Sequence, residues 1–477
     1  MEKAAAYIEA NRKLLTGVSD SLWEYAETGY EEFKSSQLLV EVLAEEGFAI
    51  TNSLAGIETA FVASYGSGEP VIGILGEYDA QYGMSQEAGI AGQKPLADGG
   101  TGHACGHHAI GAGALAAALA LKEYLRENNL SGTVKYFGCP AAEDGCGKTY
   151  MARAGCFNGV AVALTWHPFT SNNITTFNVL ATISASFKFH GVSSHASGSP
   201  HLGRSALDAV ELMNIGVNFL REHVEQDIRI HYAITDAGGC SPNVVPAEAA
   251  VLYQLRASRR PQVSDVYERV TNIAKGAALM TDTRLEVIFD RASSNLLPNH
   301  VLGRLLYEKF TAAGPVPIDE NDRAYARRLR ETLSDKQKHL DESIAVSMFG
   351  DTGRELVDQI AGKEIIDNIY PYDPADILAM GSNDLGDVSW NVPTVSFQAA
   401  AFAKDTPPHS WQQVAQGKSE LCHKALLHAG KIMALAGIEL LENPGLLAQV
   451  KEEFDKRRAG EAYICPIPPE VMPPPLR

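Results

Sequence analysis

No stretch of this 477-residue sequence is apolar for long enough to span a bilayer. The longest such run, Ala109 to Leu121, is rich in alanine and glycine. A membrane span needs about 20 apolar residues, so this run reads as a buried helix. A secretory h-region is also missing, because MEKAAAYIEANRKLL is charged and amphipathic. Positive charge is in deficit. Lys and Arg number 40 against 58 Asp and Glu, for a net charge of −18. That excludes the broad basic face of a nucleic-acid groove, although a local cationic pocket can sit on an acidic protein. Cysteine is scarce, with seven at irregular spacing. No disulfide framework is implied, and a reduced, cytoplasmic chain is expected. Internal repeats are absent. The remaining composition, 45% hydrophobic and 21% charged, is that of a globular protein. Its length calls for two domains or one large domain with an insertion.

Ser19 to Phe48 reads as a helix, with Phe33, Leu39, Val40, Leu43 and Ala44 at helical spacing. VIGIL (71–75) reads as a buried parallel strand and ends in GEYDA, which puts Glu77 and Asp79 just beyond it. A helix is expected at 109–126. TVKYFGCP then reads as a strand running into AAEDGCGKT, and 160–164 as a strand ending in TWHPF. Alternating strands and helices predict an α/β sheet. The polar clusters follow strands, where open α/β sheets bind ligands. Near residue 180 the pattern changes. LATISASFKFHG alternates with period two, and a β-α-β-β-α-β order follows, as in a small ferredoxin-like domain. It is expected at 182–292, interrupting a larger domain at 1–181 and 293–477. Charged helical sequence resumes at 299–340. TVSFQAA, FAKDTPPHSW, a helix at 410–442 and a Pro-rich tail complete the chain.

Residues 103–108, HACGHH, place one thiol among three imidazoles. Cys and His suit soft and borderline divalent metals, and Gly106 lets Cys105 and His107 turn towards one ion. Taken alone, Cys105 is equally a small buried hydrophobe and His107 a satisfied helix-start residue. Glu143, Asp144 and His167 supply further ligands after neighbouring strands. In a carboxylate pair, one group can bind metal while the other takes a proton from attacking water. The plainer reading is an acidic helix start. The run from Ala142 to Thr149 also nearly fits a P-loop. Ala142 departs from the pattern, and two carboxylates inside the loop would repel phosphate.

Taken together, HACGHH, AAEDGCGKT, ALTWHP, GVSSHASGSP and PPHS resemble the metal-dependent aminoacylase and carboxypeptidase-like amidohydrolases. The resemblance runs in order along nearly the whole chain. WEYAETGYEEFKSSQ, ILGEYDA, DGGTGHACGHH, ALDAVELMNIGVNFLREH and MGSNDLGDVSW point to the branch acting on auxin conjugates and p-aminobenzoyl-glutamate. The resemblance implies a zinc-peptidase-like α/β catalytic domain, a mixed sheet with helices on both faces, interrupted by a smaller α+β ferredoxin-like lid and dimerisation domain. It implies two divalent ions per chain, zinc or manganese, held by Cys105, His107, Asp144, His167 and His409. It makes Glu143 the general base and His195 the group that polarises the scissile carbonyl across a lid-mediated dimer. Asn243, in SPNVVPAEA, and Arg256, in QLRAS, fall at substrate-contact positions. Arg suits a substrate carboxylate.

Two departures stand out. The family usually has Glu-Glu where this chain has Glu143-Asp144, and often Asp where it has His108. His103 and His108 are expected to be structural. Asp384 and Asp387 fall where relatives carry an acidic residue near the site. The implied reaction is amide hydrolysis of an N-acyl amino acid, with p-aminobenzoyl-glutamate or a similar aromatic-acyl amino acid as substrate. The alternatives are a dipeptidase or another aminoacylase on the same scaffold, and a non-catalytic partner subunit of a related hydrolase. The implied assembly is a homodimer through the lid, or a heteromer with a related subunit.

Overall fold

The computed structural model describes residues 2–143, 145–175, 177–374 and 377–473. They form two compact units. The first draws its described residues from Met1–Phe177, Leu297–Ile377 and Val388–Tyr463. The second draws them from Asn178–Leu296, Leu378–Asp387 and Ile464–Arg477. No helix among the described residues is long and apolar enough to cross a membrane.

The first unit is built on a seven-stranded mixed sheet. Its strands run, in spatial order, Ala49–Asn52, Phe61–Ser67, Gly132–Cys139, Val71–Glu77, Val162–Phe169, Thr394–Ala400 and Asn173–Thr175. The four strands from Gly132–Cys139 to Thr394–Ala400 are mutually parallel, with Val71 opposite Thr133 and Thr394 opposite Ala163. Their carboxyl ends therefore share one edge, which is where chain-distant polar residues can meet.

Helix His107–Asn128 is buried along most of its length, as its all-apolar run requires. It packs against helix Glu420–Glu442, and small residues let the two approach closely. A Cβ on Gly430 would lie 2.6 Å from Ala116 Cβ, and one on Gly437 would lie 2.8 Å from Leu121 Cδ1.

The single helix expected at 19–48 is instead two, Arg12–Tyr25 and Phe33–Glu45. Ala26 closes the first at φ 42°. Glu27 then accepts from the backbone N–H groups of Lys34 and Ser35, at 3.1 and 2.9 Å, at the start of the second. The helix expected at 410–442 is also broken, into Trp411–Gln416 and Glu420–Glu442, with Ser419 capping the second through Cys422 N. His428 is 5% exposed and bonded to the Gly314 carbonyl, because helix Glu420–Glu442 is covered on nearly every side.

The second unit has the expected β-α-β-β-α-β order, with helices Ala206–Leu220 and Arg260–Thr281. Its four antiparallel strands run Arg284–Ser293, Ala181–His190, Glu248–Ala257 and Arg229–Asp236. Alternation explains the packing. Val251, Tyr253 and Leu255 are buried, while Leu252, Gln254 and Arg256 between them are partly exposed.

The helix crossing yields a test. Gly430→Val places a branched side chain against the Ala116 backbone-bound methyl, which cannot swing away. Overpacking of this kind costs about 1–3 kcal/mol. Urea unfolding should show a loss near the upper end of that range, and an unchanged midpoint would show that the helices separate freely.

Candidate metal centre

Each donor reaches the shared edge for a local reason. Strand Val71–Glu77 ends at Glu77 and delivers Asp79 two residues later. Strand Gly132–Cys139 runs into Glu143, and His167 sits near the end of Val162–Phe169. Gly106, at φ 80°, turns the chain between Cys105 and the helix that starts at His107. A Cβ there would lie 2.6 Å from Pro168 Cγ, so glycine is required on both counts.

His409 has φ 55°, and its backbone N–H donates to the Ala104 carbonyl at 3.2 Å, which ties it beside Cys105. A buried ionic network fixes the segment leading to it. Lys404 reaches Glu342 and Asp405, Arg330 reaches Asp405, and Asp341 and Asp405 each accept the other's backbone N–H.

Cys105, His107 and His167 present donor atoms all within 4.8 Å of one another, as do Cys105, Glu143 and His409. Cys105 Sγ lies 3.3 Å from His167 Nε2. The Nδ1 of His167 is bonded to the Pro168 carbonyl at 2.8 Å, which leaves Nε2 as the free donor atom. His107 is arranged the same way. Its Nδ1 is bonded to Asp79 Oδ1 at 2.7 Å, and Asp79 Oδ2 accepts from the Glu143 backbone N–H at 2.9 Å. His107 Nε2 then faces Glu143 Oε1 at 3.3 Å and Glu77 Oε2 at 3.4 Å. Glu143 Oε1 is buried without a hydrogen-bond partner.

With its proton on Nδ1, His107 brings a lone pair and two carboxylate oxygens to one point. Such a point is repulsive unless a cation or an extra proton lies there. Thiolate, imidazole and carboxylate together suit a divalent metal, and a carboxylate holding the far nitrogen of a metal-binding His is the usual supporting contact. The residues therefore fit a metal ion.

The electrostatics agree. Burial opposes the charged form of His107, yet Asp79, Cys105, Glu77 and Glu143 push it well above the ordinary histidine value. Burial, with Glu143 beside it, pushes the Cys105 thiol up to about 12. Burial, then the charge of His107, lowers His167. A thiol in such surroundings becomes a thiolate when a cation binds it.

Asp144 lies outside the described residues. His195, Asn243 and Arg256 belong to the second unit. There His195 pairs with Val244, and Ala196 N–H donates to the Asn243 carbonyl at 2.9 Å, so His195 and Asn243 lie on adjoining segments. Arg256 Nε is buried without a hydrogen-bond partner. His103 and His108 bond the backbone carbonyls of Leu22 and Gly417, at 3.0 and 2.9 Å. Asp387 accepts from Ser294 N and Oγ.

Sequence reasoning placed Asp79 only by its position beyond a strand, weighed Lys148 only within the P-loop pattern, and gave Glu77 and Glu32 no role. Lys148, at 1% exposure, pairs with Glu77 Oε1 at 2.8 Å. Buried Glu32 accepts from Ala141 N–H and Thr59 Oγ1. The position of Asp79 just after a strand was its only signal.

Two tests follow from this geometry. In Asp79→Asn, one amide cannot accept from both His107 and Glu143 N–H. Metal affinity, measured by chelator competition, should fall about 10- to 100-fold, and wild-type affinity would deny Asp79 its orienting role. Burial, then the charge of Asp79, pushes Glu32 up to about 8. A carboxyl raised in the folded state contributes stability that is present below its unfolded value, about 4.3, and lost as pH rises towards 8. Urea midpoints of Glu32→Gln should therefore decline less over that window than those of wild type. Equal slopes would show that Glu32 does not titrate there.

The Peptidase dimerisation domain family matches residues 181–281. The chain is 43% identical over 472 residues to one of the subunits of p-aminobenzoyl-glutamate hydrolase from Escherichia coli, covering 98% of each chain. It is 25% identical to the Xaa-Arg dipeptidase of Mus musculus, covering 97% of this chain and 94% of that one. Its fold resembles a dinuclear metal-binding M20 peptidase of Bacillus subtilis, with TM-score 0.55 and 17% identity over 91% of this chain and 99% of that one. An identity of 43% across the full span of both chains leaves one assignment: the chain belongs to the M20 family of metallopeptidases and is a hydrolase of its amidohydrolase branch.

Proposed function

We propose that this chain acts in the cytoplasm and hydrolyses the amide bond of an N-acyl amino acid, with p-aminobenzoyl-glutamate or a similar aromatic-acyl amino acid as substrate. The observation that carries the reading is Glu143 Oε1, buried without a hydrogen bond and 3.3 Å from His107 Nε2, within a cluster of thiol and imidazole donors. Kinship to the E. coli hydrolase supports the substrate class. No disulfide joins the cysteines among the described residues, in keeping with a reducing compartment.

Cys105, His107, Asp144, His167 and His409 would hold two divalent ions, zinc or manganese. When bound, these would polarise the carbonyl and make water acidic enough to attack near neutral pH. Glu143 takes the proton of the attacking water and delivers it to the leaving amine. Asp79 keeps the His107 ring turned inward through its Nδ1–H.

His195 Nδ1 accepts from the backbone N–H groups of Gly198 and Ser197, at 3.1 and 3.3 Å. Its proton therefore belongs on Nε2, which makes it a donor to the carbonyl oxygen as negative charge builds there. Asn243 and Arg256 hold the substrate's carboxylate, for which Arg256 has an unused Nε–H.

The proposed assembly is a homodimer through residues 182–292, or a heteromer with a related subunit. The matched dimerisation domain supports this. So does edge strand Arg229–Asp236, on which every residue except Ile230 is exposed. Exposed edges of this kind invite pairing.

The test combines metal analysis with a panel of N-acyl amino acids and dipeptides, Xaa-Arg dipeptides included. Wild type should hold divalent metal, lose turnover on chelation and favour the aromatic-acyl glutamate. Glu143→Ala should keep its metal and lose about 10²- to 10⁴-fold in kcat. Preference for a dipeptide would replace the substrate reading. Undiminished turnover in Glu143→Ala would remove the general-base role.

A further inference from the structure

The Lys148–Glu77 pair is not needed by any role assigned so far. Lys148 is 1% exposed, yet it carries an ammonium into the interior of the first unit. Its Nζ lies 2.8 Å from Glu77 Oε1. The other oxygen, Oε2, is turned to His107 Nε2 at 3.4 Å. That nitrogen is the one left open when Asp79 holds Nδ1. The same nitrogen faces Glu143 Oε1 at 3.3 Å. One oxygen of Glu77 is thus clamped by a cation, and the other is aimed where His107 offers its lone pair.

An ion pair with no further duty would not need this split. Burying two charges is costly, and a pair of apolar or neutral residues of similar size is often as stable or more so. A buried pair that presents one carboxylate oxygen to an imidazole lone pair has a use in holding a cation.

Resting on the metal-centre reading above, we infer that Glu77 is an additional donor to the ion held by His107, and that Lys148 is the positioning residue that presents it. Lys148 fixes the rotamer of Glu77 by occupying Oε1, so that Oε2 alone is offered. Its charge also offsets one of the negative donors crowded there. The P-loop-like run around Lys148 thereby acquires a role that involves no nucleotide: its lysine serves a carboxylate distant in sequence and adjacent in space.

The test uses the full-length protein stripped of metal and titrated with Co(II) alone. It follows stoichiometry, chelator competition and the visible ligand-field bands. Wild type, Glu77→Gln, Lys148→Met, Lys148→Arg and the double variant Glu77→Gln/Lys148→Met are compared. The double variant removes both charges at nearly constant volume, so it guards against a single variant that fails to fold. Glu77→Gln and the double variant should release one equivalent of Co(II) about 10- to 100-fold more readily, a loss typical of a disturbed metal environment. Their bands should shift. Lys148→Met should shift the same bands, and Lys148→Arg should restore them in part. Wild-type affinity and bands in the double variant would overturn the inference and leave the metal centre standing. A wild type that binds no Co(II) would overturn both.

Discussion

The contact between Asp79 and His107, 2.7 Å long and wholly buried, is the one on which the rest of the site depends. It fixes the proton of His107 on Nδ1 and so fixes where the lone pair of Nε2 points. The second oxygen of Asp79 holds the backbone of Glu143 at 2.9 Å. One carboxylate thus sets both the imidazole nitrogen turned into the cluster and the residue proposed as the general base. Burial strengthens each of these contacts. It also makes any unpartnered charge among them expensive, which is why a cluster of this composition calls for a cation.

The sheet makes that contact possible. Four parallel strands end on one edge, and each leaves a polar residue there. The apolar helix His107–Asn128, wedged behind them, brings Cys105 and His107 to the same edge. The break between helices Arg12–Tyr25 and Phe33–Glu45 brings buried Glu32 to the Ala141 N–H, two residues before Glu143. Even His409, far along the chain, is anchored by a backbone bond to Ala104. The donors are therefore positioned by backbone, whereas their protonation is set by one another's charge.

Much of the fold was legible in the sequence because periodicity survives folding. VIGIL gave a buried parallel strand, and LATISASFKFHG gave an antiparallel one at Ala181–His190. The helix break at 26–32 was not legible. It rests on a left-handed Ala26 and a glutamate acting as a cap, and neither residue is a preferred breaker or cap.

The sequence by itself named the candidates. Cys105, His107, Asp144, His167 and His409 were read as ligands and Glu143 as the base from residue chemistry and motif resemblance; Asp144 lies outside the described residues, and the structure gathers the other five into overlapping clusters. Only the tertiary structure decided what supports them. Asp79, Glu77, Lys148 and Glu32 lie within the quoted stretches, but nothing in those stretches names their partners, which lie on other segments of the chain. Side-chain chemistry is local and can be read one residue at a time. The direction of a lone pair, or the partner of a buried charge, exists only once distant segments have been brought within a few ångströms.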